Sequence, residues 1–159
     1  MKKTIAVILA MLLCVLTVSA FAQTVTVEEL GCTITVPDDF EAMELYEEEI
    51  EDGMLYLWEN DSVSLAIYVD EVEAGMTNET LMEALKEDGE TMVGTTTIGE
   101  DEMVYVYGTE TDGEETYAYV EYFLLCEDDL VVVFSFNYTN GDNAAAQVTA
   151  DIMNSIAWN

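Results

Sequence analysis

MVYVYGTETDGEETYAYVEYFLLCEDDLVVVFSFNY, residues 103–138, holds three strand-like runs and the two turns that join them. Met103–Thr109 and Glu115–Cys126 flank Asp112-Gly113, a dipeptide suited to a two-residue hairpin turn because it tolerates positive φ. Leu130–Tyr138 follows after Glu127-Asp128-Asp129. Side chains on a strand alternate between faces, so the length of that second turn decides which residues meet. With three residues in the turn, Ala118, Val120, Tyr122, Leu124, Val132, Phe134 and Phe136 share one wholly apolar face. With two, the register slips by one and the faces mix. The three-residue turn is expected, and with it antiparallel strands buried on one side.

Working outward, Thr24–Val27 and Cys32–Val36 alternate apolar and polar residues as half-buried strands do, with Gly31 between them and Pro37-Asp38-Asp39 ending the second. Glu41–Asp52 is rich in Glu, and Met43, Leu45 and Ile50 interrupt it without a firm period. It reads as a loop or a short helical turn. Met54–Trp58 and Ser62–Val69 form a hairpin across Glu59-Asn60-Asp61, with Val63, Leu65, Ile67 and Val69 on one face. After a loop over Glu71–Met76, Thr77 or Asn78 caps a helix running to about Asp88, with Glu79 in its first turn and Gly89 as its stop. Leu81, Ala84, Leu85 and Asp88 give it the narrow stripe of a surface helix. Asn140-Gly141-Asp142 opens a final helix with Ala145, Val148, Ile152 and Ile156 at helical spacing. The expected fold is α+β: an antiparallel β-sheet with a mid-chain helix and a C-terminal helix packed on it. No internal repeat or linker divides residues 23–159, which are expected to form a single domain.

The first 22 residues differ in kind. Lys2 and Lys3 precede an apolar run from Ile5 to Val18, and Ser19-Ala20-Phe21-Ala22 supplies an A-x-A exit at Ala20 and Ala22. This predicts a secretory signal peptide cleaved after Ala22, and hence a secreted, extracytoplasmic product. The run is short for a bilayer core, and Leu12 and Leu13 deny Cys14 the small neighbour a lipoprotein site needs. Beyond Ala22 the chain carries 34 acidic residues against Lys86 alone, with no Arg and no His. Such charge alone would suggest disorder, yet nine Tyr, four Phe and two Trp are spread among the acids. The expectation is a folded domain with an acidic skin.

Two short stretches resemble a known family. Ile34-Thr35-Val36-Pro37-Asp38-Asp39-Phe40, an opening strand ending in Pro and an aromatic, and the closing Met153-Asn154-Ser155-Ile156-Ala157-Trp158 are similar to those of small PsbP-like domains (Mog-type, also DcrB-like envelope proteins of bacteria). The resemblance covers most of the chain after Ala22 in topology. It implies the α+β fold, carries no shared catalytic residues and leaves function open.

Composition excludes much chemistry. Without His, neither a Ser-His-Asp or Cys-His centre nor a His-liganded metal can be built. No G-x-S-x-G motif or Gly-rich phosphate loop is present. Nucleic acid is excluded as a partner because its binding needs cations to displace counterions. Lys86 is explained by its helix end and by Glu83. Cys32 and Cys126 make an even count in an exported chain and are the candidate disulfide, against the alternative of two buried thiols.

Acid clusters at Glu47-Glu48-Glu49 with Glu51-Asp52, at Glu100-Asp101-Glu102, at Glu110-Asp112-Glu114-Glu115 and at Glu127-Asp128-Asp129 raise weak Ca2+ binding. The nearest EF-hand spacing, Glu48, Asp52, Gly53 and Glu59, fails because Ile50 occupies a ligand position. Tyr105, Tyr107, Tyr117 and Tyr119 around one hairpin, and Tyr46, Tyr56, Trp58 and Tyr68 around another, are candidate binding aromatics; cross-strand packing is the competing role.

The function expected is that of an exported, non-catalytic acidic domain that needs no cofactor and acts through surface interactions at or outside the envelope. Its partners would be cationic protein, glycan or divalent cations, with no membrane contact after leader removal. A calcium-dependent binding or adhesion module and a carboxylate-based glycan hydrolase are the alternatives. Self-repulsion among the acids is screened by salt, so thermal stability of the protein lacking its leader should rise with added NaCl and fall at low ionic strength. Salt-insensitive melting would contradict this reading.

Overall fold

Period-two alternation in the last third of the chain builds the centre of the molecule. The computed structural model describes residues 22–87, 92–113 and 115–158; the leader, with the cleavage site expected after Ala22, falls almost wholly outside the described residues, as do Asp88 and Gly89. The strands are β1 (Ala22–Val27), β2 (Cys32–Pro37), β3 (Glu41–Ala42), β4 (Met54–Glu59), β5 (Val63–Glu71), β6 (Met92–Ile98), β7 (Asp101–Asp112), β8 (Glu115–Leu125), β9 (Leu130–Thr139) and β10 (Ala157–Trp158). The helices are α1 (Glu47–Glu51), α2 (Asn78–Glu87) and α3 (Asn143–Asn154). Seven strands form one antiparallel sheet in the order β3-β4-β5-β9-β8-β7-β6, and a second sheet runs β1-β2-β10. The fold is α+β, as expected.

The β8–β9 register is that of the three-residue turn: Val120 pairs with Phe136, Tyr122 with Phe134 and Leu124 with Val132. Cys126 N–H donates to the Leu130 carbonyl (2.8 Å) and closes the turn. Asp128 and Asp129 adopt left-handed backbone, φ 64° and 59°, a conformation Asp tolerates better than most side chains. The Asp129 carbonyl accepts from Val72 N–H (2.8 Å) and its carboxylate from Gly75 N–H (3.2 Å), tying the loop after β5 to this turn. The other hairpin turn lies one residue later than Asp112-Gly113. Asp112 pairs with Glu115 as the last residue of β7, and Gly113 takes the positive φ (62°).

Three strands are absent from the periodicity reading: the two-residue β3, in the segment expected to be a loop or short helical turn, and β6 and β10. β6 contains Gly94 and Thr95-Thr96-Thr97, so no apolar alternation marks it, although β-branched Thr suits a sheet edge. Gly94 is needed there because the Tyr105 ring lies across it; a Cβ would stand 2.8 Å from that ring. β10 was expected inside the closing helix. The helix instead ends at Asn154, and Ala157 and Trp158 pair with Thr33 and Cys32 of β2. Ser155 joins the two: its Oγ accepts from Thr35 N–H (2.8 Å) and donates to the Ile152 carbonyl (2.6 Å).

The helices are held as their ends predict. Thr77 caps α2, with Thr80 N–H donating to its hydroxyl (3.2 Å) and its own N–H donating to the Thr80 hydroxyl (2.9 Å). The buried side of α2 is rotated from expectation: Leu81 is buried and Met82 and Leu85 half-buried, whereas Ala84 is exposed. Asp142 caps α3 by accepting from Ala144 and Ala145 N–H (2.9 and 3.0 Å).

One apolar cluster joins the two sheets and α3. It includes Cys32, Ile34 and Val36 of β2, Leu65 and Ile67 of β5, Phe134 and Phe136 of β9, and Ile152. The buried polar residues are Ser135 and Thr149, so no described Asp or Glu is buried and the acids form a skin. The cysteines are not bridged: Cys32 is a free, fully buried thiol and Cys126 a free, exposed one just after β8. β2, which carries Cys32 into the core, and β8, after which Cys126 follows, lie in different sheets.

Replacing Ser155 by Ala strands the Thr35 N–H in a half-buried site and should cost about 1–3 kcal/mol in urea unfolding. A maleimide should label native protein once, at Cys126, and a second time only in denaturant; two native labels would contradict the packing. Burial pushes the Cys32 thiol from 9.0 up to about 11. The folded state therefore holds that proton more tightly, a stabilisation present below pH 9.0 and lost as pH rises toward about 11. Unfolding free energy should decline across that window, and decline less in Cys32→Val.

Candidate functional site

Register decides what each tyrosine can do. Tyr105 pairs with Tyr122 and Tyr107 with Val120, which places them on the core side of the seven-stranded sheet. Tyr119 pairs with Gly108 and Tyr117 with Glu110, on the opposite side. The four candidate aromatics of this hairpin are thus split between two faces. Tyr105 covers Gly94, and Tyr107 packs against the core cluster. The second aromatic group divides likewise. Tyr56 and Trp58 stack on each other on the core side (centroids 4.9 Å apart, planes 3° apart), and Tyr68 faces the other way. Tyr46 is 75% exposed, just before α1.

The outer face of the sheet is covered unevenly. Helix α2 packs over β6 and β7, where Leu81, Val104 and Val106 are buried. Beyond it the face presents Tyr117, Tyr119 and Glu121 from β8, Ser135 and Asn137 from β9, and Ser64 and Tyr68 from β5. Glu110, Tyr119, Glu121, Ser135 and Asn137 line a cleft of about 450 Å³. Its geometry follows from small residues beside large ones. A side chain on Gly108 would collide with the outer half of the Tyr119 ring, so that ring lies down along the sheet across β7. Ser135 is nearly buried and donates its hydroxyl to Glu121 Oε1 (3.0 Å), fixing one carboxylate oxygen. Burial raises the Tyr68 phenol above its ordinary 10.0, and the charges of Glu121 and then Glu49 raise it further, so it stays a hydroxyl donor at neutral pH.

Elsewhere the acids are spent locally. Glu49 accepts from Tyr46 N–H (2.7 Å), Glu102 from the Asn78 amide (3.1 Å), and Asp129 from Gly75. Glu114 lies outside the described residues. A larger acidic cleft of about 600 Å³ is lined by Asp39, Glu41, Glu59, Asn60 and Asp61. There Asn60 is a turn-former, accepting from Ser62 and Val63 N–H (2.9 and 2.8 Å) and donating to Asp39 (3.0 Å). Among the described residues, no three carboxylates or thiols converge as a metal site. Cys126 borders a separate apolar cleft with Leu30, Leu55, Val69, Leu130 and Trp158, and Cys32 borders neither.

Glu121, Ser135, Asn137 and Gly108 were not among the residues picked out from sequence. Their signal was present all the same: they occupy the alternate positions, opposite the apolar face, in residues 103–138.

No family model matches the chain, and no curated protein matches it. Solved structures do. A protein of Bacteroides thetaiotaomicron is similar over 81% of this chain at 15% identity and a TM-score of 0.60; this chain spans only 45% of its length. LpqN, described as involved in cell envelope biogenesis of Mycobacterium tuberculosis, is similar over 86% of this chain and 89% of its own at 7% identity and a TM-score of 0.59. CyanoP, the cyanobacterial PsbP of Synechocystis, is similar over 90% of this chain and 95% of its own at 8% identity and a TM-score of 0.60. At these identities the likeness speaks for the fold alone, and the fold is PsbP-like.

Proposed function

We propose that this chain is an exported, non-catalytic acidic domain that acts by surface contact at or outside the bacterial envelope, through the outer face of its seven-stranded sheet. The carrying observation is the contrast between the two faces. One is closed by β1-β2-β10 and α3, while the other, beyond α2, leaves tyrosines and a carboxylate half-exposed on β8 and an amide exposed on β9. Rigid aromatics beside satisfiable polar groups are the composition of contact surfaces. The leader-like first 22 residues support export, and among the described residues no helix is long and apolar enough to cross a membrane. The envelope role named for LpqN supports the setting.

The test is retention of envelope components on the immobilised protein, compared with a Tyr117→Ser/Asn137→Lys double variant whose melting is unchanged. Loss of the retained component in the variant is expected, and equal retention would overturn the face assignment. Cell fractionation should recover the chain outside the cytoplasm with a mass starting at Gln23; a full-length cytoplasmic product would overturn export.

A further inference from the structure

We propose that the free edge of β6 receives an extended peptide strand from a partner protein. That strand is uncharged and β-branched at its centre and carries a Lys or Arg beside the Gly99-Glu100 turn. The contact lies at the rim of the seven-stranded sheet and is separate from its outer face.

The backbone argues first. The sheet ends at β3 and at β6. β3 is two residues long and sets Glu41 opposite Glu59, so a strand arriving there meets carboxylates. β6 is seven residues long, pairs with β7 alone and has neither charge nor Pro from Met92 to Ile98. Edges of that kind are ready to accept another strand. Helix α2 packs over β6 and β7 from the outer face, and among the described residues no strand lies along the rim.

The turn at the end of β6 fixes which backbone groups are open. Ile98 pairs with Asp101, and between them Gly99 takes positive φ (64°) while Glu100 does not, the pattern of a II′ hairpin. The pair flanking such a turn is hydrogen-bonded, and bonding alternates along an antiparallel ladder. Ile98, Thr96, Gly94 and Met92 therefore spend their N–H and C=O groups on β7, whereas Thr97, Thr95 and Val93 turn theirs to the open side. Donors and acceptors at this two-residue spacing match one edge of an added strand. The Thr95 and Thr97 side chains are exposed, and β-branched partners suit them.

Charge then chooses the occupant. The neutral rim lies within a negative field: Glu100 and Asp101 stand at its turn, and Glu102 pairs with Thr97. Lys86, in the last turn of α2, has Glu83 and Glu87 for neighbours. A strand bearing carboxylates is repelled, and one with a cation past its neutral centre is attracted. A second copy of the chain would bring 34 further acids and is opposed by the same field.

The test is titration of the chain from Gln23 with the acetylated, amidated peptide Lys-Val-Thr-Val-Thr-Val-Lys, read by calorimetry and by amide hydrogen exchange. One saturable site is expected. The Val93, Thr95 and Thr97 amides should exchange fast in the free protein and about tenfold slower with peptide, whereas Gly94 and Thr96 are slow throughout. Replacing both Lys by Glu, or N-methylating the three central residues, should each weaken binding about tenfold. Thr95→Pro removes only an outward N–H, and Thr97→Lys sets a cation on the rim; each should weaken binding about tenfold, while Thr95→Val stays near wild type. Thr97→Lys keeps the test sound should Thr95→Pro unfold. The Tyr117→Ser/Asn137→Lys variant should bind the peptide as wild type does, which separates the rim from the outer face. Absence of peptide binding, or outward amides already protected in the free protein, would overturn the proposal. So would equal binding of the N-methylated peptide, which reduces the contact to bulk charge, or loss of binding in Thr24→Lys on β1 in place of the β6 variants. A dimer in sedimentation that Thr97→Lys dissociates would make a second copy the occupant and overturn the partner assigned.

Discussion

The pairing of Val120 with Phe136 is the constraint from which the arrangement follows. A strand has two faces and a period of two, so one pair in register assigns every residue of β8 and β9 to a side. The Glu127–Asp129 turn holds that pair by accepting left-handed backbone at Asp128 and Asp129. A turn one residue shorter would carry Tyr117, Tyr119 and Glu121 to the core side and bring Val120 and Tyr122 into water. The same turn fastens the loop after β5 through Asp129, so the central strands and the entry to α2 share one anchor.

The second organising contact closes the chain on its beginning. Ser155, Ala157 and Trp158 meet Thr35, Thr33 and Cys32, so the two stretches that resemble PsbP-like domains are physical neighbours. The Ser155 hydroxyl takes the place of a strand carbonyl before β10 begins, letting a helix hand over to a strand within two residues. With β2 thus bordered on both sides, Cys32, Ile34 and Val36 face Phe134, Phe136 and Leu65 across the core. Every described acid stays outside this cluster, which is how a chain with 34 carboxylates can hold an interior at all.

The acids have a divided role. Some shape the backbone locally, as Asp142 does at α3, Glu49 before α1 and Asp129 in its turn. Others sit opposite one another, as Glu41 and Glu59 do, where repulsion lowers stability and discourages strand addition at that edge. At the outer-face cleft two of them, Glu110 and Glu121, stand beside an aromatic ring, an amide and a hydroxyl.

Much of the fold was legible in the sequence because strand alternation and cap chemistry are local. The β8–β9 register, the β4–β5 hairpin and the caps of α2 and α3 needed only neighbouring residues to be read. β6 was not legible, because Gly94 and three successive threonines acquire strand character only when Tyr105 and the rest of β7 lie beside them. Nor was the helix-to-strand switch at Ser155, whose partner Thr35 lies 120 residues away. The site divides the same way. Sequence alone determined the acidic skin, the absence of histidine chemistry and the presence of tyrosines around one hairpin. Tertiary structure decided that Tyr105 and Tyr107 support the core while Tyr117 and Tyr119 face outward, and that Glu121, Ser135 and Asn137 stand beside Tyr119. Composition is a property of the chain, but which face a residue occupies depends on register between strands, and only the assembled sheet sets that.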